Sequence, residues 1–104
     1  MERVAFKMKL NPGCADEYKR RHDAIWPELA RALSDAGVSD YSIFLDEETN
    51  ILFAVQKLAP ANTADQLSQK EIVRKWWDYM ADIMEVHPDN PPVVVPLKEV
   101  FHQD

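Results

Sequence analysis

Residues 41–58 read YSIFLDEETNILFAVQKL, two runs of β-branched and aromatic side chains separated by a polar stretch. The runs at 41–45 and 51–58 favour strands, and the polar residues at 46–50 are typical of the turn that joins a β-hairpin. Apolar side chains occupy both phases of the two-residue alternation, so both faces of the hairpin are expected to be covered. The two phases are Phe44, Leu52 and Ala54 with Val100, and Tyr41, Ile43 and Ile51 with Phe53.

A helical pattern precedes the hairpin. Between residues 14 and 36, apolar and aromatic side chains recur along one stripe of a helix, at Tyr18, His22, Ile25 or Trp26, Leu29, Leu33 and Ala36. Pro27 interrupts the stripe. Because proline suits the first turn of a helix, the chain is expected to break near residues 23–26 and to start a second helix at Pro27. Gly37 is the expected C-terminal cap.

Another helical pattern follows the hairpin. Thr63 with Gln66, and Ser68 with Glu71, each match a capping box, in which two side chains three residues apart bond to each other's backbone. The second box is predicted to open a long helix. Its broad apolar face consists of Ile72, Val73, Trp76, Trp77, Met80, Ile83 and Met84. The proline-rich residues 87–92 are expected to end it.

Strands complete both ends of the chain. Residues 3–10 alternate apolar and charged side chains, and residues 97–101 are predicted to form a final strand. The order β-α-β-β-α-β predicts an α+β fold, a ferredoxin-like sandwich with both helices on one face of an antiparallel sheet. We expect a single domain over residues 1–104. The helix-free face is expected to pack against a second copy in a homodimer.

Composition argues against several classes of function. The chain has 12 Lys and Arg against 18 Asp and Glu, a net charge of -6, which disfavours a nucleic-acid partner. Its 2 glycines form no phosphate-binding loop for ATP or NAD, and its 3 histidines and 1 cysteine form no metal-ligand pattern. The first residues alternate charged and apolar side chains, so neither a signal peptide nor a membrane span is expected. The sequence thus predicts a cytoplasmic protein without a cofactor.

Four aromatic residues and one histidine form the candidate site. Tyr18 and His22 lie one helical turn apart and are expected to face the sheet. Trp76 and Trp77 point about 100° apart, so one can line a pocket while the other braces it. Tyr41 lies in a strand beneath both helices. Aromatic rings stack on the C–H faces of an uncharged sugar, and an imidazole with a pKa of about 6.5 can accept and return protons.

Each of these side chains also fits a plain core position, and the pattern alone does not separate the two interpretations. The basic run Lys19-Arg20-Arg21 is expected to be solvated. No role is assigned to the other polar or thiol groups, which are Cys14, His87, His102 and the carboxylates Asp82, Glu85 and Asp89.

The chain resembles the L-rhamnose mutarotase family over nearly its whole length. The likeness rests on EYKRRH at 17–22, IWPEL at 25–29, YSIFLD at 41–46, WWDYM at 76–80 and PDN at 88–90. It implies dimeric α+β barrels of ferredoxin-like subunits that interconvert the α and β anomers of L-rhamnose without a cofactor. It further implies that His22 is the proton donor and that Tyr18, Tyr41, Trp76 and Trp77 contact the sugar.

Two other functions remain compatible with the sequence. Dimeric barrels of this fold include haem-degrading and cofactor-free monooxygenases, because a shared fold does not fix a function. A non-catalytic sugar-binding module would use the same aromatic wall. Haem uptake or oxygen consumption would indicate the first, and sugar binding without faster anomer exchange would indicate the second.

Overall fold

A computed structural model describes residues 1–104 and contains one antiparallel sheet. Its strands are β1 (Glu2–Lys9), β2 (Val38–Asp46), β3 (Ile51–Leu58) and β4 (Val95–Leu97), in the order β2-β3-β1-β4. Helices α1 (Ala15–Asp23) and α2 (Pro27–Asp35) lie between β1 and β2 in the chain, and α3 (Glu71–Met80) lies between β3 and β4. The predicted ferredoxin-like order of elements is confirmed. No helix is long and apolar enough to cross a lipid bilayer.

One face of the sheet carries the helices and the core. The strand register places Met8 opposite Leu52 and Phe6 opposite Ala54. Leu52 and Ala54 are 1% and 0% exposed, so the centre of this face is buried. The helix side chains buried in the same cluster are Tyr18, Leu29, Val73, Trp76 and Met80. The apolar stripes of all three helices therefore close over this face.

The opposite face of the sheet has no helix over it. Phe44 lies opposite Phe53 in the register of β2 and β3, so the two rings share this face. The prediction that placed Phe44 on the same face as Leu52 and Ala54 is wrong. Phe53 lies between those two residues in β3 and therefore points to the opposite face, and Phe44 shares the face of Phe53. Ile43 likewise lies opposite Ala54, on the helix-covered face. Apolar side chains do occupy both faces of the hairpin, as predicted.

The break between the first two helices is confirmed. Trp26 has the extended backbone that a residue before proline prefers, and α2 starts at Pro27. Gly37 follows α2 with a φ of 89°, and its amide donates to the carbonyl of Ser34 at 3.0 Å. A Cβ atom on Gly37 would approach the Cβ of Asn62 to 2.9 Å. Both the backbone conformation and the available space therefore require glycine here.

The two predicted capping boxes do not form. Thr63 precedes a 3₁₀ helix (Ala64–Gln69) and makes no capping bond through its side chain. Its place is taken by Asn62, whose Oδ1 accepts the amide of Ala64 at 3.1 Å. Ser68 lies inside the 3₁₀ helix, so the N-cap of α3 is Lys70, which has no capping side-chain bond.

Two boundaries near the C-terminus also differ from the prediction. α3 ends at Met80, and Met84 instead forms an isolated bridge to Leu10. The final strand is Val95–Leu97 rather than 97–101. It pairs only with β1 at the edge of the sheet, so nothing on its outer side holds residues 98–101 in register.

Candidate active site

A cavity of about 960 Å³ lies between the sheet and the helices, and most of its lining is hydrophobic. Tyr18 and His22 reach it from α1, Trp76 and Trp77 from α3, and Tyr41 from β2. The structure therefore brings together all five side chains that the sequence singled out.

Two rings fix the position of the histidine. The Tyr18 and His22 rings are stacked, with centroids 4.3 Å apart. Trp76 meets the imidazole nearly edge-on, with centroids 5.3 Å apart and planes at 89°. Both arrangements are favourable for aromatic pairs. The imidazole is thus held between α1 and α3.

The hydrogen bonds of His22 define which nitrogen is free. Nδ1 lies 3.1 Å from the backbone carbonyl oxygen of Tyr18. A carbonyl can only accept, so Nδ1 carries the hydrogen and Nε2 keeps a lone pair. Nε2 bonds no protein atom and is not buried, and since His22 lines the cavity, Nε2 is available to a ligand there.

Burial also decides the charge of His22. Loss of hydration lowers its pKa below the ordinary 6.5, against weaker opposing effects of the Tyr18 carbonyl and the Asp23 carboxylate. The imidazole is therefore neutral at pH 7, with a basic nitrogen turned toward the cavity.

The two tyrosines keep their protons. Tyr18 is 8% exposed, and burial raises its pKa well above the usual value. Tyr41 is 38% exposed and packs edge-on against Phe6, and the loss of hydration around its hydroxyl raises its pKa to about 12. Both hydroxyls can therefore donate hydrogen bonds to a ligand at neutral pH.

A β-bulge in β2 directs Tyr41 toward the cavity. The pairing of β2 with β3 shifts register between Ser39 and Ser42, where β2 contains one extra residue. Asp40 in this bulge has a φ of 46°, a conformation that aspartate tolerates better than most residues. The bulge allows the buried Val38 and the cavity-lining Tyr41, three residues apart, to share one face. Sequence reasoning missed it and began the strand at Tyr41.

Two further rings brace Trp76. Trp26 meets it nearly edge-on at 5.0 Å, and Tyr79 lies 5.6 Å from it and stacks on Trp26 at 5.4 Å. Trp77 is half-buried and makes none of these ring contacts. The sequence placed Trp26 only as an alternative in a helical stripe and gave Tyr79 no role, although its spacing of three from Trp76 was a usable signal.

The prediction of a solvated basic run is wrong for its third member. Lys19 and Arg20 are exposed, but Arg21 is only 9% exposed. Its guanidinium reaches partners on α3 and beyond, which the local charge pattern does not reveal. His87 and His102 are exposed, as predicted. No group of three or more His, Cys, Asp or Glu side chains is placed to hold a metal ion.

Known proteins share both the sequence and the fold. A family model described as L-rhamnose mutarotase matches residues 3–103. L-rhamnose mutarotases from Bacteroides thetaiotaomicron and Formosa agariphila are 64% and 61% identical over 104 residues, covering 100% of both chains in each case. A crystal structure of an L-rhamnose mutarotase from Formosa agariphila superimposes with a TM-score of 0.94 at 60% identity and covers 100% of both chains. This chain belongs to the L-rhamnose mutarotase family.

Proposed function

We propose that this chain interconverts the α and β anomers of L-rhamnose by opening and reclosing the sugar ring beside His22. Membership of the family supports the activity and makes the chain an isomerase. The observation that carries the location of the reaction is the convergence of five side chains on one cavity. These are Tyr18, His22, Tyr41, Trp76 and Trp77.

The cavity matches the chemistry of a 6-deoxy sugar. Indole and phenol rings offer flat faces to the C–H groups of a pyranose, and the apolar lining suits its methyl group. The hydroxyl of Tyr18 bonds no protein group and, like Nε2 of His22, is open to the cavity. It is therefore available to a sugar oxygen. Most of the lining is apolar, in keeping with an uncharged ligand.

Ring opening needs one proton removed and one supplied. Nε2 of His22 takes the proton of the anomeric hydroxyl, O1. The C1–O1 double bond forms as the bond from C1 to the ring oxygen, O5, breaks, and O5 keeps the electron pair. O5 then takes a proton, which leaves a neutral open-chain aldehyde and balances the step.

The same imidazole can serve both oxygens, because O1 and O5 are bonded to one carbon. The imidazolium formed at O1 then returns the proton to O5. Tyr18 and Tyr41, whose pKa values are raised, are weak acids and serve better as hydrogen-bond donors to the sugar than as proton sources. Their hydroxyls hold the oxygens in place while His22 transfers the proton.

Reclosure completes the exchange of anomers. The aldehyde rotates about the C1–C2 bond, and O5 attacks its other face while His22 moves the proton from O5 back to O1. Mutarotation proceeds slowly in water without a catalyst, so general acid–base help of about 10²- to 10⁴-fold is enough. The neutral resting state makes His22 a base in the first step and an acid in the second.

Saturation-transfer NMR tests the reaction and the resting state together. We expect the protein to accelerate exchange between the anomers of L-rhamnose, and we expect this activity to fall as the pH is lowered through the pKa of His22. Because burial lowers that pKa, the midpoint of the acid limb should lie below 6.5. An acid limb centred above 6.5 would contradict a neutral, partly buried imidazole.

The same preparation separates the competing functions. A sugar-binding module would show chemical-shift changes on adding L-rhamnose without faster exchange. A strong visible band after adding haem, or oxygen consumption, would favour a monooxygenase of the same fold. Exchange measured across a panel of aldoses defines the selectivity at the same time.

We further propose that the chain forms a homodimer through the helix-free face of the sheet. Phe44 and Phe53 are 64% and 36% exposed there. Val95, opposite Lys7 in the register and thus on the same face, is 44% exposed, and Leu97 is 38% exposed. Lys7 lies between Phe53 and Val95, so exposed apolar side chains flank it on both sides. Exposed apolar surface marks interaction sites in soluble proteins. Two such sheets packed face to face would cover it.

Sedimentation velocity tests the homodimer. At micromolar concentration we expect a particle of twice 12.0 kDa for the unmodified protein. Phe53→Asp should sediment as a monomer, because two carboxylates would be buried without partners at the interface. Gln66→Asp, which adds the same charge at an exposed site in the 3₁₀ helix, should remain dimeric. A folded, unmodified monomer at this concentration contradicts the proposal.

A further inference from the structure

We propose that Arg21 is a positioning residue, which sets the His22 imidazole against Trp76 by clamping α1 to the C-terminal end of α3. The inference rests on the proposed function, because it assumes that proton transfer takes place at His22. Arg21 itself does not line the cavity. It would act through the rings of His22 and Trp76, which do line the cavity.

Arg21 is the only charged residue among the buried ones. Its Nε donates to Glu17 at 2.6 Å, and its Nη1 donates to the backbone carbonyl of Tyr79 at 2.6 Å. The two terminal nitrogens also bond the two carboxylate oxygens of Asp82, at 2.9 and 3.3 Å. The guanidinium carbon lies 4.4 Å from the centre of the Tyr79 ring. One side chain thus joins α1 to three features at the end of α3.

These contacts form a fixed point between the two helices. The carbonyl of Tyr79 belongs to the last turn of α3, where carbonyls lack partners within the helix and attract a cation. Asp82 is the second residue after the helix. Glu17, one turn before Arg21 on α1, holds the near side of the planar guanidinium. Because the planar group has fixed donor directions, its bonds set orientation as well as distance.

The clamp lies next to the site on both helices. On α1, Arg21 directly precedes His22, and on α3, Tyr79 lies one turn after Trp76. The Tyr79 ring contacts Trp76 at 5.6 Å, and Trp76 contacts His22 at 5.3 Å. If the clamp loosens, α1 can move relative to α3 and Nε2 shifts relative to the sugar. A displacement of about 1 Å at a reacting atom can cost about two orders of magnitude in rate.

If Arg21 had a purely structural role, its substitution would lower the stability of the protein and leave kcat and the pKa of His22 unchanged. Changing one partner of a buried ion pair lowers stability whether or not the pair also positions the site. Stability therefore does not separate the two roles, whereas geometry does. Geometry is reported by the turnover number and by the hydration of the imidazole, and neither depends on stability while the protein remains folded.

The test compares Arg21→Lys with Arg31→Lys. Arg21→Lys keeps the charge but cannot bond Glu17, Tyr79 and Asp82 together, so we expect kcat to fall by about ten- to a hundredfold with a smaller change in KM. Arg31→Lys is the matched control, because Arg31 is exposed on α2, contacts none of the clamp residues and does not line the cavity. It should keep the unmodified kcat.

The pKa of His22, followed by NMR titration of its ring protons, is the second readout. In Arg21→Lys, water reaches the imidazole, so the pKa should rise toward 6.5 and the acid limb of activity should move up with it. Several charged or titratable groups line the cavity around His22 from its own helix and from other walls: Asp16, Tyr18, Lys19, Asp23, Tyr41, Glu47 and Asp65. None of them is changed by the substitution.

Asp82→Ala decides the matter if Arg21→Lys does not fold. The Asp82 side chain is 68% exposed, so its loss leaves the core intact while it removes half of the clamp. We expect the same direction of change in kcat and in the His22 pKa, with a smaller size. The proposal is overturned if folded variants keep both quantities and lose only thermal stability. Full activity in a His22→Ala variant would instead overturn the proposed function.

Discussion

His22→Ala is expected to lower the enzymatic exchange of L-rhamnose anomers by about 10²- to 10⁴-fold, which is the usual contribution of a positioned acid–base group. The substitution removes the one side chain in the cavity whose free nitrogen is basic at neutral pH. The tyrosine hydroxyls remain protonated and cannot replace it as bases. Saturation-transfer NMR on the pure protein, with the uncatalysed rate subtracted, measures the loss.

The control separates a catalytic loss from a general effect of removing a histidine. His87 is exposed in the loop after α3, and His87→Ala should exchange the anomers at the unmodified rate. His22→Ala should still fold cooperatively, because the imidazole is only half-buried and the tryptophan beside it is held by other rings. If exchange in His22→Ala stayed near the unmodified rate, the proton would have to pass through another group, such as one of the carboxylates that line the cavity.

Local rules were sufficient for most of the fold. The hairpin, the helix break at Pro27 and the turn at Gly37 each depend on residues that are neighbours in sequence, so proline, glycine and strand-forming side chains identify them. The capping box at Ser68 failed because a 3₁₀ helix occupies the segment just before α3. A capping motif shows that a helix can begin at a residue, but the preceding backbone decides whether it does.

Some features of the site also follow from residues close in sequence, whereas others depend on contacts between distant residues. The pairing of Tyr18 with His22 follows from a spacing of four along a helix. The burial of Arg21 does not, because its partners Tyr79 and Asp82 are 58 and 61 residues away. The tilt of Tyr41 into the cavity depends on a bulge that the alternation of side chains conceals. Sequence thus indicates which residues share a helical face, while contacts between elements fix how they meet.

Trp76→Ala is expected to lose stability and sugar affinity together. Trp76 is 8% exposed and contacts the rings of His22, Trp26 and Tyr79. Truncating a buried tryptophan to alanine costs about 3–5 kcal/mol, a large part of the stability of a small domain. The imidazole also loses the ring that faces it, so kcat should fall with the affinity. Urea unfolding at fixed protein concentration gives the stability, and titration with L-rhamnose gives the affinity.

Trp77→Ala provides the matched comparison, because Trp77 lines the same cavity but is only half-buried and braces no other ring. We expect a clear loss of sugar affinity with a much smaller loss of stability, since less surface leaves the core.

Trp76→Phe keeps a ring at the centre of the cluster and should recover most of the stability that Trp76→Ala loses. It also provides a folded Trp76 variant if the alanine variant does not fold. Unchanged affinity in Trp77→Ala would show that Trp77 only packs in the core. Unchanged affinity in a folded Trp76 variant would show that the sugar stacks elsewhere. A ring that serves both the core and the ligand must affect both measurements, whereas one that serves only the ligand affects the second alone.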